Sequence, residues 1–232
     1  MSTVTVKASG GDYTSLNAAF AGEMGDLVSA ADQLTIEHYR NDDSTKAAVG
    51  ADWTTNDTYY IRVVAPKGYR HAGKPDATKS RLYLTGDWNV NPITFDKADC
   101  HIRFEWMQLL NTAANSNVLS GSPPAYTTCR YKFSNCIIGN YSSSFTKNII
   151  FVLSYSSSSN QRVQFDACVI FAGSSQGYLV YLGIDLNYQK YYFYGCTFRG
   201  GGYTFYRVHS YNEFVNGYIR NCIILSPAND IN

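Results

Sequence analysis

Two carboxylates, Glu105 and Asp166, each stand two residues ahead of a position that returns at intervals along the chain, occupied by Met107 and Cys168. If that position recurs once per turn of a coil, both acids face outward on one surface, two rungs and about 9.6 Å apart. That is near the upper end of the separation used by inverting glycosidases, where one carboxyl protonates the leaving oxygen and the other activates a water. Two acids on a five-rung outward ladder also arise by chance, and the pattern fixes no Arg or His beside them. The sequence therefore favours no catalytic residue. A Ca²⁺-dependent lyase needs several carboxylates converging on one face. Glu105, Asp166, Asp185 and Glu213 fall at different coil positions instead. His38, His71, His101 and His209 lack metal-ligand spacing, and no Gly-rich loop has the phosphate-cradling form, so neither metal nor cofactor is expected.

The recurrence itself is clearest in sulfur. Phe133-Ser134-Asn135-Cys136-Ile137-Ile138 returns as Phe165–Ile170, Phe193–Phe198 and Ile219–Ile224, with Phe104–Leu109 as a degenerate first copy. Counted at Met107, Cys136, Cys168, Cys196 and Cys222, the steps are 29, 32, 28 and 26 residues, the signature of a repeat architecture. Apolar residues sit at positions one, four and six. In a plain strand residues three apart point to opposite faces, so one residue between the first two must break the alternation. Asn135, Gly195 and Asn221 precede the Cys in three copies, and these types tolerate the left-handed conformation. Ala167 and Trp106 depart from that rule. Strand, left-handed corner, strand, once per coil, reads as an all-β, single-stranded right-handed parallel β-helix; a β-sandwich with accidental spacing is the alternative.

Stacking then turns Met107, Cys136, Cys168, Cys196 and Cys222 into an internal ladder of small apolar groups. Parallel, in-register side chains make a bridging dihedral strained, so these are read as reduced thiols. The state of Cys100 and Cys129 stays open. Reduced cysteines and an opening Met1–Val6 without a basic and apolar leader suit synthesis in a cytoplasm.

One domain over 1–232 is expected, with an irregular opening and first coils over 1–99 and regular coils over 100–232. Thr3–Lys7, Leu34–Tyr39, Tyr59–Val64 and Arg81–Leu84 read as strands. Ser15–Ala21 reads as a short helix capped by Thr14 or Ser15 and stopped by Gly25, placed to plug the solenoid core. The polar stretch from Arg40 to Asp57 reads as an excursion. Third-face strands follow at Ile149–Leu153, Tyr178–Leu182 and Tyr203–Val208, with Ser-rich loops such as Ser142–Ser144 and Ser156–Asn160 between. The tail after Pro227 is short and polar.

Composition suits that fold: 16% charged residues, 20 Tyr and 18 Gly. A net charge of +1 argues against nucleic acid as a partner, and no apolar run is long enough to span a membrane. Charge is uneven. Residues 1–60 carry nine acids against Lys7, Arg40 and Lys46, and residues 61–81 carry six cations against Asp76. Either the two compensate within the chain, or the basic segment around Arg70, His71 and Lys74 docks on an acidic neighbour. Tyr188, Tyr191, Tyr192, Tyr194, Tyr203, Tyr206 and Tyr211 crowd the final coils, as a subunit interface, a sugar-stacking surface or solvent-facing strand formers.

The opening Gly10-Gly11-Asp12-Tyr13-Thr14-Ser15-Leu16, followed by a helix and F-x-N-C-x-I coils, resembles the right-handed parallel β-helix repeat proteins of tailed bacteriophages and their metagenomic relatives. Gly68–Lys74 is similar to a segment of that group. Pectin esterases and pectate lyases share the architecture and a similar entry. Phe165–Phe171 resembles the esterase's aspartate strand, but Ala167-Cys168 departs from it. The resemblance implies a virion-surface protein, a tailspike, tail-associated protein or capsid decoration, commonly a homotrimer. The reading is a non-enzymatic capsid decoration or cementing subunit contacting capsid or tail proteins. A tailspike-like receptor-binding protein that binds or cleaves host surface glycan, as hydrolase or lyase, is the alternative.

Overall fold

Alternation in a strand such as Arg130–Ser134 puts Tyr131 and Phe133 inside and Arg130, Lys132 and Ser134 outside. The computed structural model shows the same split on rung after rung. It describes residues 1–49, 52–85, 92–95, 100–121, 129–144, 146–152, 162–173, 178–182, 190–200, 203–207 and 216–225. These form an all-β parallel solenoid of about six turns with very little helix.

Three parallel sheets make its walls. The first has eight strands: Ser2–Val6, Leu34–His38, Ile61–Val64, His101–Glu105, Arg130–Ser134, Arg162–Asp166, Lys190–Tyr194 and Asn216–Arg220. The second has six: Arg81–Leu84, Gln108–Asn111, Ile137–Asn140, Val169–Ala172, Thr197–Arg199 and Ile223–Leu225. The third also has six: Ala47–Val49, Ile93–Phe95, Leu119–Gly121, Asn148–Val152, Tyr178–Leu182 and Tyr203–Arg207.

A left-handed residue joins the first sheet to the second in each repeat. Asn135 (φ 54°), Gly195 (φ 60°) and Asn221 (φ 54°) adopt it as their residue types allow. Trp106 (φ 61°) and Ala167 (φ 51°) adopt it too, which corrects the expectation that these two break the corner. The surrounding ladder over-determines them, for the bend costs no hydrogen bonds. The corner amides of Trp106, Asn135, Ala167 and Gly195 donate forward to Ser134, Asp166, Tyr194 and Arg220 carbonyls at 2.8–3.0 Å. One step beyond the Cys, Ile137, Val169, Thr197 and Ile223 donate back to Met107, Cys136, Cys168 and Cys196 at 2.9 Å.

Inside the bend, Phe104, Phe133, Phe165 and Phe193 stack face to face at 5.2, 4.9 and 4.9 Å, tilted by 8° or less. Such contacts add about 0.5–1.5 kcal/mol each beyond area burial. The sulfur column runs beside them with Met107, Cys136, Cys168 and Cys196 buried. Each Cys thiol donates to the carbonyl of the Phe one coil earlier, Cys136 to Phe104, Cys168 to Phe133 and Cys196 to Phe165 at 3.4 Å. None of the six cysteines is bridged, and Cys100 and Cys129 are buried thiols. Cys222, on the last rung, is only half-buried.

Helix Leu16–Gly22 covers the first coil with Leu16, Ala19 and Phe20, and Ser15 Oγ caps it by accepting from the Ala18 amide at 3.1 Å. The stretch from Arg40 to Asp57 is not an excursion. It supplies the first strand of the third sheet, Ala47–Val49, and buries Trp53 and Asp43. Apolar spacing there is too short to be seen without the register. The expected strand ends Leu153 and Val208, the Ser156–Asn160 loop and the tail after Pro227 lie outside the described residues.

A Cβ built on Gly195 meets nothing within 4 Å, so Gly195→Ala should lose only the backbone preference, about 1–2 kcal/mol. Ala167→Gly should move stability the other way, by less, because the freer unfolded chain takes back about 0.4–1 kcal/mol. Urea denaturation of both variants checks this; equal losses would contradict a left-handed Ala167.

Candidate functional site

In-register stacking decides which side chains meet, and it assembles two polar groups. The first is internal. Pairing of Arg81 with Gln108 places Ser80 directly before Met107 in the sulfur column. Ser80 Oγ lies 3.3 Å from Met107 Sδ and 2.8 Å from His38 Nδ1, and His38 Nε2 lies 3.2 Å from Asp43 Oδ2. Asp43 also accepts from the Leu16 amide at 2.9 Å and the Thr45 amide at 3.1 Å, which ties the helix to the first coil. The order Ser, His, acid is that of a nucleophile, its base and an orienting carboxylate. All three side chains are buried, however, so no substrate atom reaches Ser80. The chain is a polar core plug. Spacings of 38, 43 and 80 carry no motif, so only the register reveals it.

The second group is external, on the outward face of the first sheet. Glu105 and Asp166 sit two rungs apart with Ser134 between them, as the spacing implied. Both are occupied. Arg62 binds Glu105 through Nε at 3.0 Å and Nη2 at 2.6 Å. Asp166 meets Lys132 Nζ at 3.0 Å and accepts from Gln164 Nε2 at 2.8 and 2.9 Å. Each acid is thus paired with a cation of its own.

Beside them runs a basic row. Arg130, Arg162 and Lys190 are Cα partners on consecutive rungs, and Arg103 pairs with Lys132 in the next row. Arg103 lies over the Tyr60 ring at 3.6 Å, and Arg162 over Tyr192 at 4.5 Å. Tyr192 stacks on Tyr218 at 5.0 Å. Sequence reading missed this row because its members precede the motif, at the strand position where Arg and Lys look like ordinary solvated charges.

Of the expected docking residues, Arg70 is held in place within the chain: it lies 5.3 Å over Trp106 and its Nε donates to the Ala65 carbonyl at 3.0 Å. His71 is buried against Trp106, and Nδ1 accepts from the Gly73 amide at 3.2 Å. Lys74 is exposed. The segment therefore braces a corner. Among the interface tyrosines, Tyr191 is buried while Tyr192 and Tyr194 are half-buried on the outer face. Tyr203 and Tyr206 belong to a third-sheet strand, but their side chains, with Tyr188, Tyr211, Asp185, Glu213 and His209, lie outside the described residues. No group of three or more His, Cys, Asp or Glu residues able to hold a metal occurs among the described residues. Nor is any described helix long and apolar enough to cross a membrane.

Burial alone would raise the Asp43 pKa, but the His38 bond and the Leu16 and Thr45 amides hold it below 3.8. A folded value below the unfolded one leaves its stabilisation full above about pH 3.9 and lost as pH falls through the folded value. Burial lowers His71 below 6.5, so its neutral form contributes fully above that pH and less as pH falls through its own folded value. Acid should therefore weaken the fold in two stages, the first beginning below pH 6.5. His71→Gln should remove the first stage. Asp43→Asn should cost about 3 kcal/mol and make the second shallower without removing it, since Asp12, Asp26, Asp32, Asp42 and Asp76 are also held below the ordinary carboxylate range by hydrogen bonds. Urea unfolding across about pH 3–8 separates them.

No family model, curated protein or solved structure matches the chain.

Proposed function

We propose that this chain is a structural protein of a tailed-phage particle, a β-helical decoration or cementing subunit at the virion surface that acts by protein–protein contact. The reading starts from the resemblance carried by Gly10–Leu16 and the F-x-N-C-x-I coils. The observation that carries it furthest is the last coil. Ile219 stands in the row of Phe104, Phe133, Phe165 and Phe193, which are all buried, yet it is 46% exposed. Ile223 and Leu225 of the same coil, which flank the inward Ile224 and so face out from the second sheet, are 58% and 56% exposed. Apolar residues exposed on more than one face of the last described coil fit association with other subunits better than they fit open water. The opposite end is covered by helix Leu16–Gly22. A homotrimer whose subunits meet near this end, contacting capsid or tail proteins, is the assembly proposed.

Groups able to do acid–base chemistry support the non-catalytic form of the reading by what they are already doing. Glu105 and Asp166 hold cations, and Asp43, His38 and Ser80 hold the first coil together. One observation favours the alternative, a tailspike-like receptor-binding protein: the tyrosines and cations share the first sheet's outer face, which suits a host surface glycan.

Ile223→Glu with Leu225→Glu should abolish assembly in sedimentation velocity while changing unfolding free energy by no more than about 0.5 kcal/mol. A parent that sediments as a monomer at every concentration, or a variant that assembles unchanged, would refute the reading. Imaging of the intact particle then assigns capsid or tail.

A further inference from the structure

Like charges directly opposite on neighbouring strands destabilise a sheet. Arg130, Arg162 and Lys190 are nonetheless in register on three consecutive rungs, and Arg103 sits over Lys132 in the adjoining row. Carboxylates offset part of this. Asp57 takes Arg130 at 2.5 Å and His101 at 3.2 Å, and Asp166 takes Lys132. Arg103, Arg162 and Lys190 have no carboxylate partner among the described residues. The cost is concentrated around one groove of about 220 Å³, lined by Arg103, Arg130, Lys132 and Arg162 together with Asn56, Tyr60 and one carboxylate, Asp57, which is engaged by Arg130 and His101.

What the groove offers a ligand follows from which valences are used. Acceptors are consumed inside the protein. The Asn56 amide oxygen takes the Thr58 and Tyr59 amides at 2.9 and 2.7 Å, Gln164 Oε1 takes Arg162 at 2.7 Å, and Tyr60 Oη takes Arg103 at 2.9 Å. Donors remain: guanidinium N–H groups beyond those bonds, the Asn56 amide NH₂ and the Tyr60 hydroxyl proton. A concave site with four cations against one paired carboxylate, spare donors and acceptors mostly engaged matches an oxyanion, which has charge and only lone pairs.

We propose that the outward face of the first sheet is an oxyanion-binding site centred on Arg103 and Arg162, with Arg130 and Lys132 completing it and Lys190 extending it by one rung. Its ligand is a carboxylate, sulfate or phosphate group, either carried on a carbohydrate chain or free in solution. Stacking on Tyr60 and Tyr192 holds the two central guanidinium planes in place, so little side-chain freedom is lost when an anion enters. The site is separate from the exposed last coil and does not rest on the virion reading.

Calorimetric titration of the whole chain with inorganic sulfate, inorganic phosphate, a polyuronate, dextran sulfate and unmodified dextran tests this. At least one anionic probe should bind, more weakly as salt rises, and unmodified dextran should not. Binding of the polymers alone assigns the anion to a carbohydrate, and comparable binding of the inorganic ions assigns it to a small solute. Arg103→Gln with Arg162→Gln should weaken binding at least about tenfold, the loss of roughly one charge-assisted bond. Lys46→Gln, an exposed cation elsewhere, should change nothing. Because the two arginines also brace tyrosines, Lys190→Glu, at an exposed position outside both stacks, serves as a second variant and should weaken binding too. Silence toward every anionic probe, or affinity untouched by both variants, would overturn the proposal.

Discussion

Everything in this solenoid depends on one backbone residue per coil turning left-handed between two strands. An L-residue resists that conformation by about 1–2 kcal/mol, yet five successive coils adopt it with Trp, Asn, Ala, Gly and Asn. The bend is what brings a Phe and a Cys three residues apart onto the same inner side. Both the stacked rings and the sulfur column exist because of it. Its cost is spread over amides that stay bonded to the neighbouring coil through the turn. A coil that failed to bend would lose pairing with both neighbours, so the corners hold one another in place.

The column of small residues has a polar end. Cys thiols donate weakly to the Phe carbonyls, which gives the buried S–H groups an acceptor beside the corner. Toward the first coil the thiols give way to Met107 and then Ser80, and the hydroxyl needs a partner in a dry interior. His38 supplies it, Asp43 balances His38, and the Leu16 and Thr45 amides complete Asp43. A polar run of this kind weakens a core unless every member is satisfied. Here it joins the covering helix to the coils, so the plug and the first turn stand or fall together. Buried Asn111 and Asn140, paired on adjacent rungs, do the same service where the second sheet turns toward the third, with Asn140 donating to the Ala113 carbonyl at 2.8 Å.

Most of the fold could be read from the sequence because its core grammar is periodic. Phe133, Phe165 and Phe193 with their Cys partners announce strand, corner and strand, and the helix announces itself through Ser15 and its apolar face. Ala167 and Trp106 were misread at the corner because residue type reports intrinsic preference, while the ladder on both sides sets the conformation. Asp43 and Trp53 were misread because the coil they belong to is interrupted by turns and has no Phe or Cys to mark it. The candidate site was legible only in part. Glu105 and Asp166 fall on their expected rungs, but their cations come from 43 and 34 residues away, and no linear spacing shows that. Arg103, Arg130 and Arg162 are silent for the same reason: a row across strands exists only once the register is set.

That contrast bears on where function lies. Inside the solenoid most local rules are obeyed: corners are bonded, thiols have carbonyls, and the buried carboxylate has three donors, while a few buried polar atoms such as Trp53 Nε1 and Thr94 Oγ1 go without a partner among the described residues. Interior order of that kind specifies shape and leaves nothing for a ligand. The outer face of the first sheet breaks a rule and repairs it only in part, by placing cations of consecutive strands side by side with carboxylates on Arg130 and Lys132 but none on Arg103, Arg162 or Lys190 among the described residues. Relief from within would have been simple, since a carboxylate at the Arg162 rung would neutralise both neighbours. Repulsion relieved only in part marks the surface whose missing partner, in this proposal, comes from outside the chain.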